Sequence, residues 1–184
     1  MKRPVDLSLA ILGLPLAVPV MLLCMLAIRL TSPGPMILRQ TRIGRHEQPF
    51  TCLKLRTMHV HTREAPSHET PASAVTPVGA WLRRLKLDEL PQLFNIIRGE
   101  MSFVGPRPCL PAQVELIAAR RERGLYALRP GITGVAQVAG IDMSDPQRLA
   151  EADAAYLESG SVLLDLRLIL ATVTGAGRGD RVRS

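Results

Sequence analysis

Residues 7–28 read LSLAILGLPLAVPVMLLCMLAI, without a single charge. At about 22 residues, the run is long enough to cross a bilayer as a helix, which takes ~20. Lys2 and Arg3 precede it, as basic residues precede the apolar core of a signal peptide. The run is longer than such a core, however, and LAIRLTSPG is a poor cleavage site, so secretion is rejected. Pro15 and Pro19 fall near the middle. Each removes an amide hydrogen and crowds the preceding turn, so a bend or break is expected there. Basic residues flank both ends: Lys2 and Arg3 before, then Arg29, Arg39, Arg42, Arg45, Lys54 and Arg56 after. The positive-inside rule places both flanks on the cytoplasmic side. A straight span cannot satisfy that, whereas a helix–break–helix hairpin dipping into one leaflet and returning does. A plain kinked transmembrane helix is the second reading.

Beyond the turn-forming TSPGP (31–35), MILRQTRIG and FTCLKLRTM alternate well enough for two strands. Residues 59–76 are polar and aperiodic, a surface loop. Its histidines, His59, His61 and His68, pair with no acid at helical spacing and read as solvated. A helix is expected from Val78. Leu90, Leu93, Phe94 and Ile97 then fall at i, i+3, i+4 and i+7, an amphipathic helix with Asp88 at the N-cap, Pro91 in the first turn and Gly99 just past the end. SFVGPRP (102–108) is strand-like and then rigid. A helix follows at about 111–123, then a turn-rich strand region in LRPGITGVAQVAG, a helix over 145–160 opening at Asp145–Pro146, and a helix over 162–173. This last helix reads equally well as an interfacial contact or a core element. The expected organisation is a membrane hairpin (1–35), a catalytic domain (36–174) and a tail (175–184). The fold class is α+β, mainly helical, with short strands.

The 184 residues carry a net charge of +7, mostly from arginine, since Lys2, Lys54 and Lys86 are the only lysines. Arginine suits phosphate and carboxylate, so anionic partners or an anionic inner leaflet are implied. Aromatic content of 3% leaves no stacking surface for nucleic acid. Cys24, Cys52 and Cys109 are odd in number and widely spaced, which fits a reducing compartment and disfavours zinc or a disulfide framework. Two acids, Asp88 and Glu89, stand among Arg83, Arg84 and Lys86. Taken singly, Asp88 is a cap worth ~1 kcal/mol and Glu89 a first-turn acid. Two further devices argue for more. Arg107 lies between Pro106 and Pro108, and Arg129 precedes Pro130, so restricted backbone surrounds each cation.

LRRLKLDELPQLFNIIRGEMSFVGPRP (82–108) followed by RPGITGVAQV (129–138) resembles the bacterial sugar transferase family, the small monotopic phosphoglycosyl transferases of the PglC type. The similarity extends from Lys2 to Leu170. It implies transfer of a sugar 1-phosphate from a UDP-sugar to undecaprenyl phosphate, giving UMP and a lipid-linked diphosphosugar in surface glycan synthesis. It also implies Mg²⁺, a re-entrant N-terminal helix, and a catalytic domain on the cytoplasmic face of the bacterial inner membrane. Residue by residue, it makes Asp88 the nucleophile and Glu89 its partner, both available to the metal. Arg83, Arg107 and Arg129 become phosphate ligands, with Pro106, Pro108 and Asp153 in support. The family's Ser-Pro membrane break is Val18-Pro19 here, leaving Pro15 and Pro19 to shape it. Its Asn-Gly-Arg is Ala139-Gly140-Ile141 followed by Asp142, so one donor contact is missing and the sugar is left open. Oligomeric state is open too. A direct transfer in a ternary complex, with both acids on the metal, is the competing mechanism. A non-catalytic membrane scaffold for anionic partners is the competing function.

Overall fold

The apolar run belongs to one helix, α1 (Lys2–Thr31), which takes in both Pro15 and Pro19. The computed structural model describes residues 2–62 and 70–176. His68 and most of the expected tail therefore lie outside the described residues. A helix of 30 residues is about 45 Å long, more than a hydrocarbon core of ~30 Å requires. The expected helix–break–helix is not two helices: a single element runs through the prolines. Packing accounts for its continuity. Ala10 is buried before the prolines, and Ala17 and Met21 are buried around and after them, in one cluster with Leu93, Ile96 and Met101. The helix direction is thus held on both sides, and both prolines fall on the exposed face.

That face is continuous and apolar, with Leu12, Leu16, Leu22, Leu23, Leu26 and Leu30 all exposed. The opposite stripe is buried at Asp6, Ala10, Ala17, Met21, Cys24 and Ile28, a helical spacing along the full length. Both ends of α1 are fastened to the same domain. At the start, the Lys2 ammonium pairs with Asp165 at 3.0 Å and donates to the Val104 carbonyl. Arg3 donates to the carbonyls of Ile96 and Ile97, and Asp6 accepts from the Ser102 hydroxyl and the Phe103 amide. At the far end, Cys24 and Ile28 pack with Leu55 and Leu82, while Arg56 donates to the Ser32 carbonyl at 2.9 Å.

The rest is α+β with short strands. β1 (Ile37–Ile43) and β2 (Pro49–Leu55) form an antiparallel hairpin, with Gln40 opposite Cys52. α2 (Pro77–Arg84) begins at Thr76, whose hydroxyl accepts the Gly79 amide, with proline at the first helical position. α3 (Gln92–Arg98) stops at Gly99, which takes φ +86°, as the sequence implies for a glycine past the end. β3 (Ser102–Val104) pairs in parallel with β4 (Gly131–Thr133), with α4 (Val114–Glu122) in the connection. VAQV, expected within a strand region, is instead a short helix, α5 (Val135–Val138). α6 (Pro146–Ser159) is capped by Asp145 at the expected position, and α7 (Val162–Val173), capped by Ser161, spans the expected residues.

Candidate active site

Asp88 and Glu89 lie in a 3-10 turn, Leu87–Glu89, between α2 and α3. Asp88 is therefore not the N-cap of α3, which starts four residues later at Gln92. The amides of Glu89 and Leu90 bond back to the carbonyls of Lys86 and Leu87, at 3.4 and 3.3 Å. They are thus engaged within the turn rather than left open at a helix end. The turn is preceded by Lys86 in the left-handed region, φ +56°, which a residue with a Cβ seldom adopts. Asp88 is buried, at 6% exposure.

Glu89 sits between two cations. One of its oxygens accepts from the Lys54 ammonium and from the Arg107 guanidinium, each at 3.0 Å. Lys54 comes from β2, and Arg107 from the loop after β3. That loop is fixed at three successive carbonyls. The Pro106 oxygen accepts the Gly131 amide at 3.0 Å, the Arg107 oxygen accepts from Arg120 at 2.7 Å, and the Pro108 oxygen accepts from Arg42 at 2.9 Å. The prolines restrict the chain, and β4, α4 and β1 hold it in place. Gly105 matters here: a Cβ on it would lie 2.3 Å from the Arg129 carbonyl, so only glycine lets the two strands meet this closely.

Arg120 is itself held. Its second nitrogen pairs with Asp153 of α6 at 2.7 Å, with both side chains buried. Burial pushes the Asp153 carboxyl above its ordinary range, and the adjacent Arg120 guanidinium pulls it back down. Asp153 thus supports the site at two removes, through Arg120 and the Arg107 carbonyl. Around the acids, burial raises the Cys52 thiol against the lowering pull of Lys54 and Arg42. Burial also lowers the Lys86 ammonium, while Glu89 acts to raise it. These contacts gather Lys54 and Arg107 on Glu89, the neighbour of Asp88 in the turn.

The other expected residues are dispersed. Arg83 lies in the last turn of α2, leading into the acidic turn. Arg129 lies at the opposite end of α3 from Asp88, donating to the Gly99 carbonyl at 2.8 Å beside Arg3. Burial, with Arg45 and Arg3 nearby, lowers its guanidinium. Ile141 packs with Cys109, Leu116, Ala136 and Leu149, so it serves the core. Lys54 and Arg42 were read from sequence only as part of the basic flank, and Arg120 was not singled out. Arg120 left one trace: it follows Leu116 by four residues, a charge on the buried face of α4. Among the described residues, no three His, Cys, Asp or Glu side chains gather into a metal cage. The acid pair nevertheless suits Mg²⁺, which is usually held by one or two carboxylates plus substrate phosphates.

The model of the bacterial sugar transferase family matches residues 1–178. The chain is 43% identical to a UDP-glucose:undecaprenyl-phosphate glucose-1-phosphate transferase of Caulobacter vibrioides, over 94% of this chain and 68% of that one. It is 39% identical to the exopolysaccharide production protein ExoY of Sinorhizobium fredii, covering 94% and 83% respectively. It is 35% identical to a UDP-N-acetylgalactosamine-undecaprenyl-phosphate N-acetylgalactosaminephosphotransferase of Aeromonas hydrophila, over 94% of this chain but 42% of that one.

Removing Arg120 leaves Asp153 buried without its partner, a change that costs about 3–5 kcal/mol. Arg120→Met is expected to lose that much in chemical denaturation, and Arg120→Met/Asp153→Leu to recover most of it. Additive losses in the double variant would contradict the pairing.

Proposed function

The chain belongs to the bacterial sugar transferase family, and from that premise we propose that it moves a sugar 1-phosphate from a UDP-sugar to undecaprenyl phosphate through a covalent intermediate on Asp88. The observation carrying this reading is the turn itself. A buried aspartate stands next to a glutamate already clasped by Lys54 and Arg107.

A carboxylate attacking a diphosphate meets an electrophile that is already negative. Two unit charges ~4 Å apart repel by about 4 kcal/mol at an effective dielectric of 20. Arg107 and Lys54 offset that charge. Glu89 holds both in place, so their positions are set before substrate arrives and little reorganisation accompanies reaction. An Asp88 oxygen attacks the phosphorus that bears the sugar. The bond from that phosphorus to the bridging oxygen breaks, and UMP leaves with the electron pair. An oxygen of undecaprenyl phosphate then attacks the same phosphorus and displaces the Asp88 carboxylate. Splitting the transfer this way lets the two substrates use one site in turn. Asp88 and Glu89 would hold Mg²⁺ with the diphosphate, and the ion would supply further charge neutralisation there. UDP-glucose is the first donor to test, because relatives are named for it.

The lipid acceptor keeps its tail in the bilayer and its phosphate at the surface. Although α1 is one continuous helix, we read it as re-entrant, its exposed leucine face set into the leaflet that faces the cytoplasm and both its ends kept on that side. The attachment of both its ends to one domain supports this, as do the basic flanks. The site is thereby held at headgroup height, and the lipid need not be extracted.

Asp88→Asn is expected to stay folded, with UMP release from UDP-glucose and undecaprenyl phosphate lowered by at least ~10³-fold. Activity near that of the parent chain would remove Asp88 from the role. Cysteines placed singly at exposed positions 4 and 39 (Pro4→Cys, Arg39→Cys) test the topology, since the native cysteines are buried. Both should resist an impermeant maleimide in intact cells and react after lysis. Labelling of one but not the other in intact cells would refute the re-entrant reading.

A further inference from the structure

α7 joins the membrane anchor to the catalytic turn. In its first turn, Asp165 pairs with Lys2 of α1. At its other end the Thr172 carbonyl, and three residues past the helix the Ala176 carbonyl, accept from the Lys86 ammonium, at 3.4 and 2.8 Å. Lys86 is the residue immediately before the 3-10 turn that carries Asp88 and Glu89. The Thr172 hydroxyl also bonds the Thr133 hydroxyl on β4, at 2.5 Å. β4 supplies the Gly131 amide that holds the Pro106 carbonyl beside Arg107. One helix end therefore touches both halves of the site, the acidic turn directly and the cationic loop through β4.

The outward face of α7 is apolar: Leu163, Leu166, Leu170 and Val173 are exposed at helical spacing. Water is a poor neighbour for such a stripe, and a bilayer is the occupant the surroundings favour. The stripe starts where α7 meets α1, whose own outward face is apolar. The exposed Arg167 lies beside the stripe, where its long stem can reach lipid phosphates.

We propose that Lys86 is a positioning residue that couples the seating of α7 in the bilayer to the geometry of the Asp88–Glu89 turn. Its backbone is left-handed just past the end of α2. A lysine is held at φ +56° where asparagine or glycine would rest more easily, and its ammonium is what reaches the negative end of α7. The proposal rests on the catalytic reading for its consequence, but the coupling itself can be measured without substrate.

The test uses the full chain in nanodiscs of phosphatidylethanolamine and phosphatidylglycerol. Hydrogen exchange is read at the amides of Glu89 and Leu90, with the β1–β2 hairpin as the folding control. Lys86→Met loses the tether. Lys86→Asn also loses it but tolerates the left-handed backbone, so it separates tether from strain. With one charged hydrogen bond lost, both should speed exchange at 89 and 90 about tenfold, with the hairpin unchanged and Lys86→Arg within about threefold of the parent. Leu166→Ser/Leu170→Ser should speed the same amides with Lys86 intact. On UDP-glucose and undecaprenyl phosphate, Lys86→Met should lower kcat about tenfold and leave the donor KM unchanged. Unchanged exchange at 89 and 90 in Lys86→Met and Lys86→Asn would overturn the proposal. So would loss of hairpin protection in both, which would assign Lys86 to folding, or an unaffected turn in the leucine variant, which would remove the bilayer. A chain with the expected exchange pattern but no turnover on any UDP-sugar would instead sink the catalytic reading alone.

Discussion

The Glu89 carboxylate, held between Lys54 and Arg107, is the interaction on which the rest of the site depends. It brings together a strand of the hairpin, the loop after β3 and the turn before α3 on one carboxylate oxygen. Two cations at 3.0 Å from one oxygen would repel each other without the carboxylate. With it, they are held together on the residue that follows Asp88. The division of labour between the adjacent acids follows from this placement. Glu89 organises charge, and Asp88, just before it in the turn, is the acid we propose for the chemistry.

Fixing Arg107 takes more of the fold than the side-chain pair suggests. Restricted φ at Pro106 and Pro108 limits the loop, yet proline alone does not aim it. The three carbonyl contacts from Gly131, Arg120 and Arg42 do. Arg120 in turn depends on Asp153, a buried charge pair that replaces neither partner easily. The scaffold behind the site is therefore polar and interlocked. The scaffold beside it, along α1, is apolar and extended. The first sets the position of charge within the domain, and in the proposed re-entrant arrangement the second sets the height of the domain against lipid.

Much of the local structure was legible in the sequence because local chemistry decides it. Asp145–Pro146 opens α6 and Gly99 ends α3, since caps and left-handed glycine are properties of short stretches. The acid pair and the proline-bracketed arginine stood out for the same reason. Asp88 was misplaced by one local feature, because an aspartate before proline and an apolar period imitates an N-cap, while the chain makes a 3-10 turn first. VAQV reads as strand from its valines, but the chain forms a short helix after Gly134, where a Cβ would meet the Gly105 carbonyl at 2.4 Å. The roles of Lys54 and Arg120 were not legible, since what makes each functional is a partner 35 and 33 residues away. Nor could the charge pattern alone foresee that α1 would continue through Pro15 and Pro19. That follows from Ala10, Ala17 and Met21 finding a common core.

The central claim is a bond between an Asp88 oxygen and the phosphorus carrying the sugar. Peptide mass spectrometry of the chain mixed with UDP-glucose, without lipid acceptor, tests it most directly. The account predicts one sugar phosphate per chain on the peptide containing Asp88, discharged when undecaprenyl phosphate is added. Unmodified peptide, from a preparation that turns over once both substrates are present, would contradict it.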